Sequence, residues 1–151
     1  MRVFLVVIDE TNEARSALTF AAQRAASTNG ALHILSVVPQ QNISAFGGVQ
    51  DTIEQESRDR AELLAHGAAG NLWDEIKVKP IISVVKGIPK EVVSDFIAEH
   101  EEVAALVLGA AEGNSPGPLV SYFSANAGSL PCPVYIIPEG YDERKIVKTD
   151  Q

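Results

Sequence analysis

Two kinds of apolar pattern alternate along this chain. Short continuous runs rich in β-branched residues are separated by longer stretches in which apolar residues recur every three or four positions. The first kind predicts strands buried on both faces, the second amphipathic helices. Val3–Ile8 is a continuous apolar run, Leu32–Val38, Val103–Leu108 and Val134–Ile137 are further β-rich runs, and Ile76–Val85 is a strand carrying Pro80. A proline cannot donate to a ladder, so that strand belongs at a sheet edge. A first helix starts at Thr11 or Asn12 and runs to about Ser27, with Ala14, Leu18, Ala21, Ala22 and Ala25 on one stripe and Asn29-Gly30 ending it. Gln40–Gln50 reads as a loop. A second helix starts at Asp51 or Thr52, with Ile53, Ala61, Leu64 and Ala68 inward, and Trp73 follows it as a packing anchor. Pro89 suits the first turn of a third helix whose stripe is Val92, Val93, Phe96 and Ile97. Asn114–Pro118 is a stiff turn before a fourth helix at about Leu119–Gly128. Strand and helix in strict alternation predict an α/β fold, a doubly wound, mostly parallel five-stranded sheet with right-handed crossovers.

Composition narrows the class. The 151 residues suit one domain, here 1–138, with a charged, frayed tail at 139–151. A net charge of −8 argues against nucleic acid or an anionic membrane as the main partner. Seven acids between Asp51 and Glu75, against Arg58 and Arg60, read as a solvated helix face. Cys132 is the single cysteine, so no internal disulfide forms. The apolar start ends at Asp9, too soon for a secretory signal, and Val103–Ala111 is far below spanning length. These features together predict a cytoplasmic protein.

Ligands of open α/β sheets bind beyond the carboxyl ends of strands, where strand order reverses. Asp9 follows the first strand and Gly109 the fourth. If those strands are neighbours, both border one crevice. An acid there can bond a ribose hydroxyl, and the small residues Gly109, Ala110 and Ala111 allow main-chain amides close to a phosphate. The fourth helix can add its N-terminal amides and Ser121. That set suits an adenine nucleotide. An equally simple structural use is open to each: Asp9 as a helix cap or loop acid, Gly109 as a turn glycine. Neither GxGxxG after the first strand nor GxxxxGK[ST] occurs.

Five pieces in order resemble the universal stress protein (UspA-type) family: Val6-Val7-Ile8-Asp9-Glu10-Thr11 with Ala17-Leu18 and Ala21-Ala22, Gly87-Ile88-Pro89 with Val92-Val93, Ala105-Leu106-Val107-Leu108-Gly109, and Leu130-Pro131-Cys132-Pro133-Val134. The resemblance implies strand order 3-2-1-4-5 in an adenine nucleotide alpha hydrolase-like fold. It implies a homodimer paired through the last strand at Val134, Tyr135 and Ile136. Some members bind ATP through G-x-x-G, about nine residues, then G-[ST]. On that pattern Asp9 matches the acid on the nucleoside side, Val37 the residue whose backbone reads adenine, and Gly109 the first glycine. Val7, Leu108, Ala110, Ser121 and Tyr122 complete the candidate set. The pattern then departs: Glu112 stands at the second glycine and Val120 at the third, while Ser121 keeps the hydroxyl. An acid near a triphosphate repels it, and a branched side chain blocks close approach. AMP therefore fits better than ATP.

Other chemistry is sparse. His33, His66 and His100 have no metal-ligand spacing, and His100 suits a helix C-terminus. Cys132 lies between prolines with no adjacent base, as a packed thiol does. No GxSxG elbow is present. Asp9-Glu10 has no partner acid after the third strand or lysine after the fifth, which excludes a phosphoacceptor receiver. Phe46, beside Gly47-Gly48, can close over the crevice, cap a neighbouring subunit or simply lie on the surface. Three functions follow: a regulatory module that binds an adenine nucleotide, the same fold acting through protein partners alone, and a weak ATPase.

Overall fold

The computed structural model describes residues 2–39 and 49–141. In chain order these form β1 (Val3–Ile8), α1 (Asn12–Ser27), β2 (Ala31–Pro39), α2 (Val49–Ile76), β3 (Ile81–Gly87), α3 (Pro89–Glu99), β4 (Val103–Ala110), α4 (Pro118–Ala125), a 3-10 turn (Ala127–Ser129) and β5 (Val134–Pro138). The sheet order is β3-β2-β1-β4-β5, and every pairing is parallel. No described helix is long and apolar enough to cross a membrane.

Two apolar layers sandwich the sheet. Phe4, Val6, Ile8 and Ile34 pack against α1 and α2 on one face. Leu5, Leu35, Leu106 and Phe123 pack on the other, with Val93 and Ile97 of α3. The inner strands are covered on both sides, which is why they read as unbroken apolar runs. The edges are less covered: β3 is mostly half-buried and β5 buries only Ile137. β3 is an edge strand as expected, but Pro80 falls just before it rather than within it and so takes no part in the ladder.

The predicted stripe of α1 is buried throughout, and Thr11 caps the helix, its side chain accepting from the Ala14 amide. The second helix departs most from expectation. It spans Val49–Ile76, so Trp73 lies inside it and Ile76 ends it. The alternation Ile76-Lys77-Val78 imitates a strand, yet Lys77 takes a left-handed φ of 64° and its amide returns to the carbonyls of Leu72 and Trp73. Pairing with β2 begins only at Ile81, opposite His33. Of the predicted Gln40–Gln50 loop, Val49 and Gln50 are helical, and the rest, including Phe46, lies outside the described residues.

The fourth helix is shorter than predicted, and the 3-10 turn takes over its end. The tail expected to fray from Glu139 is anchored at its start. The Glu139 amide donates to Ala110, the Gly140 amide donates to Ser16 Oγ, and Tyr141 packs edge-on against Phe20. Residues 142–151 lie outside the described residues.

Candidate functional site: a notch above β1

The site arises from unequal strand lengths. The β1–β2 ladder ends at Ile8 opposite Ser36, and the β1–β4 ladder at Val6 opposite Val107. Beyond those points β2 continues to Pro39 with pairing on the β3 side alone, and β4 continues to Ala110 with pairing on the β5 side alone. The short central strand leaves a notch between two overhanging neighbours. It coincides with the reversal of strand order, where such sheets bind ligands.

The notch is a cleft of about 240 Å³ bordered by Val7, Asp9, Val37, Leu108 and Gly109 from the strand ends. Thus five of the eight residues expected from sequence come together. The other three do not line it. Ala110 is the last residue of β4 and gives its carbonyl to Glu139. Ser121 is exposed on α4, its amide spent on the Gly117 carbonyl. Tyr122 borders a separate groove between α3 and α4, with Lys90 Nζ 5.3 Å from its ring centre. The fourth helix begins one turn earlier than a phosphate-facing Ser121 needs, because Pro118 starts it.

Asp9 does two things at once. Its Oδ1 accepts from the Thr11 amide at 2.9 Å and from the Thr11 hydroxyl. Asp9 is therefore a brace for the capping residue rather than the cap itself. All this uses one oxygen. Oδ2 has no donor among the described residues and is open to a ligand hydroxyl.

Gly109 has a packing reason to be glycine. A Cβ there would lie 2.1 Å from the Glu13 carbonyl oxygen, because the first turn of α1 crosses directly over the end of β4. That crossing also brings Glu13 and Ala14 into the cleft wall.

The wall opposite is stiff and apolar: Pro116, Gly117, Pro118, Leu119 and Val120, with Pro39 and Pro89 nearby. Val120, at the expected third glycine, is 6% exposed and packs into the core with Phe123. Glu112 is exposed outside the cleft, its amide donating to the Glu139 carboxylate. Asp9 and Glu13 are instead the acidic residues bordering the cleft, Glu13 with its main chain against Gly109, and no lysine or arginine is among its described lining residues. A larger groove of about 400 Å³ runs between α1 and α2 and shares Asp9 and Thr11. It reaches the end of β1 alone, whereas the notch spans the ends of β1, β2 and β4.

Elsewhere the chemistry is quiet. No group of three metal-ligating side chains occurs among the described residues. Burial raises the Cys132 thiol above its usual range, as for a packed cysteine.

Residues 1–138 match the profile described as the universal stress protein family. This chain belongs to the universal stress protein family. Among solved structures it is similar to universal stress protein UspA from Lactobacillus plantarum, with TM-score 0.77 and 24% identity over 90% of this chain and 97% of that one. It is also similar to a universal stress protein in complex with cAMP, with TM-score 0.66 and 16% identity over 92% and 98%. A third is the universal stress protein from Archaeoglobus fulgidus in complex with dAMP, with TM-score 0.56 and 18% identity over 91% and 97%. At such identities the likeness concerns the fold. No curated protein matches the chain at the sequence level.

For this universal stress protein, sequence reasoning missed Thr11, Glu13 and the proline wall as parts of the cleft. Thr11 was legible as a cap, and its position two residues from Asp9 places it there. Glu13 carried no signal, since only the crossing of α1 over Gly109 brings it to the notch.

Proposed function

We propose that this universal stress protein is a regulatory binding module whose notch takes an adenosine monophosphate-type ligand. The observation that carries this reading is the pairing of an open Asp9 Oδ2 with the overhanging backbone of β2 at Val37 across one cleft. A carboxylate oxygen can accept from ribose hydroxyls, and an unpaired strand edge can read the hydrogen-bonding edge of a base. Two relatives of the same fold are described as complexes with cAMP and dAMP.

The charge of the cleft favours the monophosphate. With the Asp9 carboxylate at the wall and no cationic side chain among its described lining residues, each added phosphate meets net repulsion. At about 6 Å and an effective dielectric near 20, one pair of like charges costs roughly 3 kcal/mol. The Pro116-Gly117-Pro118 wall also offers few amides, because proline has none. Among the described residues no lysine lines the notch and no metal-ligating cluster occurs, which favours a binding role over an ATPase.

Calorimetric titration with AMP, cAMP, ADP and ATP tests the reading. The expected order of affinity is AMP or cAMP first and ATP last, with at least tenfold weaker AMP binding in Asp9→Asn, which keeps the Thr11 contact through its amide oxygen. ATP binding tightest, or an unchanged AMP affinity in Asp9→Asn, refutes it.

A second reading, action through protein partners without a nucleotide, is favoured by Leu63. It is 74% exposed at the lip of the α1–α2 groove. Homodimerisation through β5 belongs to either reading. It is supported by β5 standing at the sheet edge with Ile136 40% exposed.

A further inference from the structure

At the opposite end of the sheet from the notch, two imidazoles meet. His33, near the start of β2, is only 9% exposed. Its Nε2 lies 2.7 Å from Ser83 Oγ on β3. Its ring meets Phe96 edge-on at 4.7 Å, and Phe96 stacks on His100 at 3.9 Å with the planes 10° apart. His100 is the C-cap of α3, and its Nδ1 lies 2.8 Å from the Phe96 carbonyl oxygen. A carbonyl only accepts, so Nδ1 carries the hydrogen and Nε2 is the place for a second proton. The two imidazole centres are 6.4 Å apart. The last turn of α3 is thus tied to β2 and β3 through three rings in contact.

We infer that His33, packed against Phe96 and His100, is a proton-operated latch, which holds the C-terminal end of α3 on the sheet while the His33 ring is neutral and loosens it on acidification. The groups around His33 can be taken element by element. From β1 and β3 its ladder neighbours are Leu5 and Ile81, both uncharged, with the Ser83 hydroxyl beside it. From α3 come Phe96 and His100. From the turn before β4 comes Glu102, an exposed acid. A proton on His33 therefore meets an apolar surround and a second imidazole, offset only by a carboxylate in solvent.

The surroundings of His33 set the balance. Burial first, then His100, lowers its pKa below the ordinary 6.5, while Glu102 pulls the other way. The folded state thus favours the neutral ring. The sign follows: this contribution to stability is complete above the unfolded value of 6.5 and is lost as pH falls through the lowered folded value. At pH 5.5 the loss is bounded at about tenfold in the folding equilibrium, the limit in which folded His33 stays neutral. Ordinary carboxylates titrate lower, near 4, so the window between pH 7.5 and 5.5 isolates the histidines. The latch sits on an element that also borders the ligand cleft, since Pro89 begins α3 and lines the notch.

The test is the urea midpoint of the whole protein at pH 7.5 and 5.5, with amide hydrogen exchange of α3 and α1 corrected for intrinsic rates. Wild type is expected to lose up to about tenfold in stability on acidification. Amides of α3 near His100 should lose protection before those of α1. His33→Gln retains a partner for Ser83 but cannot titrate, and it should abolish most of the pH dependence. His66→Gln, at an exposed site on α2, should leave it intact. A pH dependence that survives in His33→Gln, or α1 and α3 losing protection together, overturns the latch. Should His33→Gln fail to fold, the ring carbon shifts of His33 in wild type decide. Selective loss of protection at the C-terminal turn of α3 at pH 5.5 with a His33 ring of lowered pKa upholds the proposal, and a ring that titrates as a free histidine refutes it.

Discussion

Gly109→Ala separates two meanings of one glycine. If the residue serves only to let a phosphate approach, an added methyl leaves the empty protein unharmed. Indeed alanine in a strand gains about 0.5–1 kcal/mol over glycine by restricting the unfolded chain. The packing gives the opposite sign. The new Cβ would stand 2.1 Å from the Glu13 carbonyl oxygen, 2.4 Å from its carbon and 3.0 Å from the Ala14 nitrogen. Ordinary contact begins at 3.4 Å, so the first turn of α1 must retreat by more than an ångström. All three atoms are main chain, and no side-chain rotation or truncation relieves the clash. That turn is held by the Thr11 cap and by Ala14, 5% exposed in the core. Overpacking of this kind costs about 1–3 kcal/mol. After subtracting the strand gain we expect a net loss of about 1 kcal/mol, a fall in Tm on the order of 3 °C for a chain of this length. Urea unfolding followed by far-UV circular dichroism, with the m-value unchanged, reads the difference without any ligand. A Gly109→Ala protein as stable as the parent, or more so, refutes the reasoning. It would then assign the glycine to the ligand alone.

The remaining predictions touch the cap and the sheet edge. Thr11→Ala removes the oxygen that accepts from the Ala14 amide at 3.3 Å and the hydroxyl that bonds Asp9. It should lower stability by about 1 kcal/mol in a thermal melt, and a loss below a few tenths would show the cap to be replaceable by water. Ile136→Lys should convert the proposed β5-paired dimer to monomers in sedimentation, and an unchanged oligomer excludes that pairing. Tyr135→Lys is the poorer test, since Tyr135 also packs edge-on against Phe20 at 5.4 Å and its loss destabilises each subunit.

The sequence by itself determined the kind of fold and most of its elements. Burial on both faces leaves the same unbroken apolar mark whatever the neighbours are, so Val3–Ile8 and Val103–Leu108 were readable as inner strands. Caps and breakers act within a turn, so Thr11, Gly30 and Pro89 were readable too. The pieces that carry the family likeness are of this local type. The candidate site was legible in part. Val7, Asp9, Val37, Leu108 and Gly109 end strands and so meet wherever those strands adjoin. Ser121 and Tyr122 depended on the phase of a helix, which Pro118 reset. Only the tertiary structure decided the rest. The strand-like Ile76–Val78 became a helix end because pairing with β2 begins at Ile81. Glu13 entered the cleft, and Gly109 became a packing necessity, because one helix crosses one strand end at van der Waals distance. His33 and His100, far apart in sequence, share one stack because α3 lies across β2. Local chemistry is written in neighbours along the chain, whereas the charge and shape of a cleft depend on which distant segments the sheet brings together.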